Sequence, residues 1–330
     1  MEAVFSSSST EFRIRAARGQ AADQELADDG LGRREFVSRA PGGFAGRAAA
    51  SVFYTFFPAD CRICGSPLIE VSRLPVCQTC LLAIRALEGA YCTVCGEALH
   101  LPPSAECRDE NCEEAPARDA LCMLCRRARP TFERALAFGS YDRELRDLIH
   151  LLKFQQVRPA AAVLGRKLAR VMAALEEEIP AGTILVIPVP LYRGKRAQRG
   201  FNQAEMISRS ALKELPGRGR FDLCTRALLR RRDTGSQIGL TRHQRRENLR
   251  GAFVVSDPTR ILNRNILLVD DVFTTGTTAS ECTRVLLRAG AAKVWVATVA
   301  RTLKNQDVVA GHSPVTRQAG QVSETLAAHG

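Results

Sequence analysis

The run Ile266-Leu267-Leu268-Val269-Asp270-Asp271-Val272-Phe273-Thr274-Thr275-Gly276-Thr277-Thr278 constrains the fold of this chain more than any other stretch. Four consecutive apolar residues, Ile266 to Val269, are too few for a helix of their own. They suit a strand buried on both faces of a parallel sheet. Two carboxylates, Asp270 and Asp271, stand at its C-terminal end, where ligands sit in open α/β sheets. A loop of hydroxyls with one glycine follows, and a helical pattern runs from Ala279 to Arg288. Backbone N–H groups, threonine hydroxyls and a helix N-terminus then converge on one point, which favours a bound phosphate. Carboxylates cannot hold phosphate themselves, so this pair suits sugar hydroxyls or a magnesium ion. A ligand with a phosphate, a ribose and a metal-bridged diphosphate meets all three features. The competing reading is a buried strand whose Asp-Asp merely opens a turn; the type and order of the residues favour the ligand site.

A second strand of the same style, Ile184 to Val189, feeds the stretch Arg193, Gly194, Lys195, Arg196, Arg199, Gly200, which reads as a loop, and then a helix from Ala204 to Leu215. Four cations at the C-terminal end of a parallel strand form an anion trap, and the two glycines let backbone amides approach a diphosphate. A solvated basic loop is the plainer alternative. Two strand-like stretches, Leu223–Leu229 and Gly251–Val255, flank a polar insertion at 230–250 with Gln237, Arg242, Arg246 and Asn248. An insertion this long suits a binding loop that closes over a ligand. From Thr241 it reads as a short helix with Thr241 as N-cap. Elsewhere the pattern predicts a strand over Ala135–Tyr141, helices over Leu145–Phe154 and Ala160–Leu175, and a last strand over Lys293–Val299.

No apolar run reaches the ~18–20 residues of a membrane span, and no basic segment followed by an apolar core opens the chain. A cytoplasmic protein is expected, and that decides how the twelve cysteines read. In a reducing compartment Cys-x-x-Cys pairs are metal ligands rather than disulfides. There are four such pairs, Cys61/Cys64, Cys77/Cys80, Cys92/Cys95 and Cys122/Cys125, with Gly65 and Gly96 where a knuckle turns left-handed. Two knuckles complete a tetrahedral four-thiolate zinc site. The simplest pairing is sequential, giving a double zinc ribbon with two structural zinc ions; an interleaved pairing fits the spacing too. An iron–sulfur cluster accepts the same ligand set. Four thiolates leave no open position for water, which disfavours catalytic zinc. Cys107 and Cys112 read as bystanders in an acidic insertion, and Cys224 and Cys282 as core thiols.

The formal net charge is +12, from far more arginines than lysines, which suits a polyanionic partner such as nucleic acid or a phosphorylated substrate. The expected layout is a disordered extension (1–43), a double zinc-ribbon domain with a short leading helix (44–130), an α/β domain (131–302) and a disordered tail (303–330).

Within that layout, Val269 to Thr278 resembles the phosphoribosyl pyrophosphate (PRPP) motif of type I phosphoribosyltransferases. Zinc-ribbon knuckles come first, then Leu152-Lys153-Phe154, Ile187-Pro188-Val189-Pro190, Arg199-Gly200-Phe201-Asn202-Gln203-Ala204, Arg232, Thr234, Gln237, Leu240, Arg246, Asn248 and Phe253, and last that motif. Taken together over residues 50–302, the chain resembles the ComF family of bacterial competence proteins, ComFC in particular. The resemblance implies a type I phosphoribosyltransferase-like parallel sheet flanked by helices, with a zinc-ribbon domain attached, and a part in DNA uptake during natural transformation. It matches Asp270 and Asp271 to the ribose- and metal-facing carboxylates, Thr274, Thr275, Gly276, Thr277 and Thr278 to the 5′-phosphate loop, 193–200 to the pyrophosphate loop and 230–250 to the flexible loop.

Two uses of these parts compete. As an enzyme, the protein binds PRPP with magnesium, and its arginines neutralise the departing pyrophosphate. No general base is apparent, and Tyr141–Phe154 is the guess for the hood that holds the acceptor. As a binding module, its basic loops hold single-stranded DNA, with Tyr192 and Phe201 as the available stacking aromatics. The zinc ribbon also suits docking of other uptake proteins, such as a helicase.

Overall fold

The computed structural model describes residues 59–68, 72–99, 120–215, 220–234 and 241–303. The expected extension and leading helix, the insertion with Cys107 and Cys112, Gln237 and the tail from 304 onward lie outside these residues. Among the described residues no helix is long and apolar enough to cross a membrane.

Five parallel strands form the main sheet: β1 (Ala135–Ser140), β2 (Ile184–Pro188), β3 (Phe221–Leu223), β6 (Asn265–Phe273) and β7 (Lys293–Arg301), in the order β1-β7-β6-β2-β3. β6 lies at the centre, in register with β2 from Asn265 to Val269 and with β7 from Asn265 to Phe273. Its four apolar residues are fully buried, as a two-faced strand requires. Alternation along the strands divides the core in two. Val186, Leu267, Val269, Trp295 and Ala297 face one way. They meet the helices α3 (Arg143–Phe154), α4 (Ala160–Glu176) and α6 (Gln203–Glu214). Leu185, Ile187, Ile266, Leu268 and Val296 face the other way, toward α8 (Thr277–Arg288) and the segment ending in Leu249. Helix α4 buries Ala161, Leu164, Leu168, Val171, Met172 and Leu175, the 3–4 spacing of one helical stripe.

Three stretches depart from their sequence reading. The basic segment read as a loop is a seven-residue helix, α5 (Arg193–Arg199), none of whose residues is buried. Arg, Lys, Ala and Gln are good helix formers, and Gly200 ends the helix at φ 79 with its N–H on the Arg196 carbonyl. The stretch Leu223–Leu229 is not one strand. Its start belongs to β3 at the sheet edge, while Leu228–Arg230 is β4, antiparallel to β5 (Phe253–Val255) in a separate ribbon. Finally, β6 runs through the carboxylates to Phe273, so Asp270 and Asp271 lie within the strand.

The cysteines form two copies of one unit. In each, the N–H of the first cysteine donates to the carbonyl of the residue just after the knuckle glycine, Cys61 to Ser66 and Cys92 to Glu97. Gly65 and Gly96 sit at φ 75 and 69, as the knuckle requires. In each, the second pair starts a five-residue helix: Cys77 precedes α1 (Gln78–Leu82) and Cys122 precedes α2 (Met123–Arg127). The two units clasp β1 from opposite faces. Cys61, Val76 and Ile84 pack with Phe138 on the α4 side, and Cys92, Val94 and Cys125 with Phe132 and Ala135 on the α8 side. The N–H of Leu87 donates to the Phe138 carbonyl, and the N–H of Ala135 to the Val94 carbonyl.

Candidate ligand site

The chain leaves β2 toward one sheet edge, through α5 and α6, and leaves β6 toward the other, through α8 on the opposite face. The crevice between the ends of β2 and β6 is therefore the topological switch point, where open α/β sheets bind ligands. Asp270, Thr274, Gly276 and Thr278 line a cleft there with Val189 and Thr298.

The threonine loop has the shape its sequence suggests. Gly276 adopts φ 72 as N-cap of α8, and a Cβ there would lie 2.6 Å from the Phe273 ring, so no other residue fits without displacing that ring. The Thr275 and Thr277 hydroxyls are 2.7 Å apart. With the unpaired N–H groups of the first turn of α8, they make an anion nest.

The carboxylates divide their surroundings. Asp271 is buried, and its Oδ2 lies 2.5 Å from the Lys153 ammonium at the end of α3. Burial alone would lower the Lys153 pKa; the charges of Asp271 and Asp270 overcome it and hold it above its ordinary value. Asp270 keeps some open surface. Burial, then the charge of Asp271, push its carboxyl well above the usual range. Beside Asp270 in the sheet register, the buried Thr298 hydroxyl has no hydrogen-bond partner, a second polar group left for a ligand. Lys153 and Thr298 are the site residues that residue patterns did not single out. Lys153 stood in the Leu152-Lys153-Phe154 motif, but its partner is remote in sequence.

Of the four cations on α5, Arg199 is half-buried and feels the charge of Asp271. Its pKa is lowered by burial, against the pull of the Asp271 charge, and its Nη1 donates to Gln203 Oε1 at 2.6 Å. Lys195 lies 3.9 Å from Asp233 and Arg196 3.6 Å from Glu205, while Arg193 is exposed. The neighbouring Phe201-Asn202-Gln203 run is architectural. Asn202 Nδ2 donates to the Val189 carbonyl at 3.0 Å, and Asn202 Oδ1 caps α6 by accepting from Ala204 N–H at 3.0 Å. Phe201 is buried beneath the Arg158 guanidinium, so it is not an open stacking surface. Helix α7 (Arg242–Leu249) is capped reciprocally by Thr241 and Gln244. Arg242 and Arg246 both lie on this helix. The Asn248 carbonyl accepts from Arg232 Nη2 at 3.0 Å, which ties the end of the insertion to its beginning, just after β4.

The eight cysteines fall into the sequential sets Cys61/Cys64/Cys77/Cys80 and Cys92/Cys95/Cys122/Cys125, the sulfurs of each within 4.8 Å of one another. In each set some thiols are driven toward ionisation and others away from it. Hydrogen bonding to Ser66 brings Cys64 to about 6, and backbone N–H groups bring Cys92 to about 7 against burial. Burial pushes Cys95 up to about 11 and also raises Cys80 and Cys125. Four sulfurs so close can all be thiolates only around a shared cation, and the donor set suits tetrahedral zinc.

Over 252 residues the chain is 31% identical to the DNA utilization protein YhgH of Escherichia coli K12, across 74% of this chain and 98% of that protein. The chain belongs to the ComF family. Other relatives are competence protein F of Haemophilus influenzae, 27% identical over 74% of this chain and 98% of that protein, and ComFC of Bacillus subtilis, 25% identical over 66% and 80%. No protein-family model matches the chain. Among solved structures, a Schistosoma mansoni hypoxanthine-guanine phosphoribosyltransferase covers 44% of this ComF-family chain and 57% of its own, at 16% identity and a TM-score of 0.27. An overlap that small adds nothing to the topology described above.

Proposed function

We propose that the cleft at the end of β6 binds PRPP with magnesium and that this ComF-family protein uses it in handling DNA during uptake. The observation that carries the reading is the joining of an anion nest at Gly276 to the Asp270–Asp271 pair across the switch point from Arg199. In this reading the nest holds the 5′-phosphate. The carboxylates and the unpartnered Thr298 hydroxyl face the ribose. Because Lys153 already neutralises Asp271, Asp270 is the carboxylate that would hold magnesium, which would screen the charge of the diphosphate. Arg199 supplies fixed positive charge where pyrophosphate would depart. The two cysteine sets would each hold a structural zinc, fixing the knuckles against β1.

Calorimetric titration of PRPP with magnesium tests the reading. Wild-type protein should bind, and Asp270→Asn and Thr278→Val should each weaken binding at least about tenfold, the loss of one good charge-assisted or hydroxyl contact. Absence of binding to wild type would sink it. A second reading, single-stranded DNA held along α5, is favoured by the exposure of that basic helix. A strand bound by phosphate contacts should weaken steeply as salt rises.

A further inference from the structure

Beside the cleft, Phe154 ends α3 with 67% of its surface exposed, whereas the other described phenylalanines are buried. Its surroundings are polar and cationic. The Arg199 guanidinium lies 5.6 Å from the ring centroid. His150 meets the ring edge-on at 5.2 Å, and His150 Nε2 is itself 2.8 Å from the Tyr141 hydroxyl. Burial and the charge of Lys153 hold the His150 pKa below its ordinary value. On another side the first cysteine unit contributes Arg62, whose Nη1 donates to the side chain of Gln155, the next residue, at 2.9 Å. The preceding residue, Lys153, is paired with Asp271. Phe154 therefore stands one residue from the lysine that pairs with Asp271, with His150 edge-on, the Arg199 guanidinium against its ring and Arg62 bonded to its neighbour Gln155.

We infer that Phe154, with Arg199 and Arg62, forms a subsite for a planar nucleobase joined to or lying beside phosphate. A flat π-face takes a base of any identity by stacking, and flanking guanidiniums fit the negative charge that accompanies it. A single exposed apolar ring beside a guanidinium offers too little surface for an apolar protein partner. The same chemistry has two sources, a base on a single strand and a free base accepting a ribosyl phosphate. The second source rests on the PRPP reading of the cleft; the first does not.

The test uses full-length protein. Phe154→Trp places an exposed indole at the subsite, against a background of the buried Trp295. A short single-stranded oligodeoxyadenylate should quench that indole, and an abasic strand of equal length, which keeps the phosphates, should not. Quenching by adenine in the presence of PRPP and magnesium, without quenching by the strand, assigns the subsite to a free base. Phe154→Ala should weaken the oligodeoxyadenylate about tenfold or more. An indole indifferent to both strand and adenine, or equally quenched by the abasic strand, overturns the inference. Quenching by the strand in a protein that fails to bind PRPP would sink the phosphoribosyl reading and leave the subsite standing.

Discussion

Lys153 and Asp271 form an ion pair with side-chain exposures of only 16% and 5%. Removing one partner of such a pair leaves a buried charge uncompensated. Lys153→Met should therefore cost about 3–5 kcal/mol, read as a lower urea midpoint at unchanged slope. Because the folded lysine pKa is raised, the pair's contribution is complete below the ordinary value of ~10.4 and is lost as pH rises through the folded one. Asp270 has the opposite consequence. Its raised pKa means the folded protein keeps the proton longer than the unfolded chain, so stability falls as pH climbs from ~3.9 through the raised value. Asp270→Asn should flatten that fall and raise the neutral-pH urea midpoint while weakening the ligand; an unchanged stability–pH profile would contradict it. The Asp-Asp pair itself is plain in the sequence. Which carboxylate has a lysine is not, because α3 reaches β6 only through the folded sheet.

Close approach of whole elements depends on a few residues lacking a side chain. Helices α4 and α6 meet at Gly165, where a Cβ would lie 2.4 Å from Ser210 Cβ and 2.9 Å from the Ala211 backbone nitrogen. Gly165→Ala should push the helices apart and cost about 1–3 kcal/mol, measured by thermal or urea unfolding. Gly276→Ala combines a left-handed backbone with the collision against Phe273. It should cost about 2 kcal/mol or more and abolish PRPP binding in calorimetry, whereas a tolerated alanine would argue against the nest. Element type was legible where a period was clear: the buried strands, the α4 stripe and the Thr241 cap all follow from pattern. The segment 193–199 was not. Its cations look like a loop, but Tyr192 before it and Gly200 after it delimit a turn and more of helix on the surface. At Leu223–Leu229 apolar continuity concealed a change of sheet, since pairing partners are chosen by long-range register.

On the scale of the molecule, the second cysteine set is joined to the threonine loop. Arg301, 2% exposed at the end of β7, donates from Nη1 to the Cys95 carbonyl and from Nη2 to Glu97 at 2.7 Å. Its guanidinium also lies 5.2 Å from the centroid of Phe273, the ring that walls Gly276. Stripping zinc with a chelator should therefore lower the melting temperature and weaken PRPP together. Arg301→Lys, which loses the planar fork, should keep two zinc ions by metal analysis yet weaken PRPP several-fold. Zinc loss without any change in PRPP affinity would show the linkage to be idle. Spacing in the sequence determined the four knuckles, the glycines that turn them, the central strand and the carboxylate–threonine loop, because each is set by neighbours a few residues apart. Only the tertiary structure decided that the cysteine sets pair sequentially and clasp β1 from both faces. It likewise decided that Lys153 neutralises Asp271, that Phe201 is buried and Phe154 exposed, and that Arg301 ties a knuckle to the loop. Those contacts join residues far apart along the chain, and their energies exist only after the sheet has brought both partners out of water.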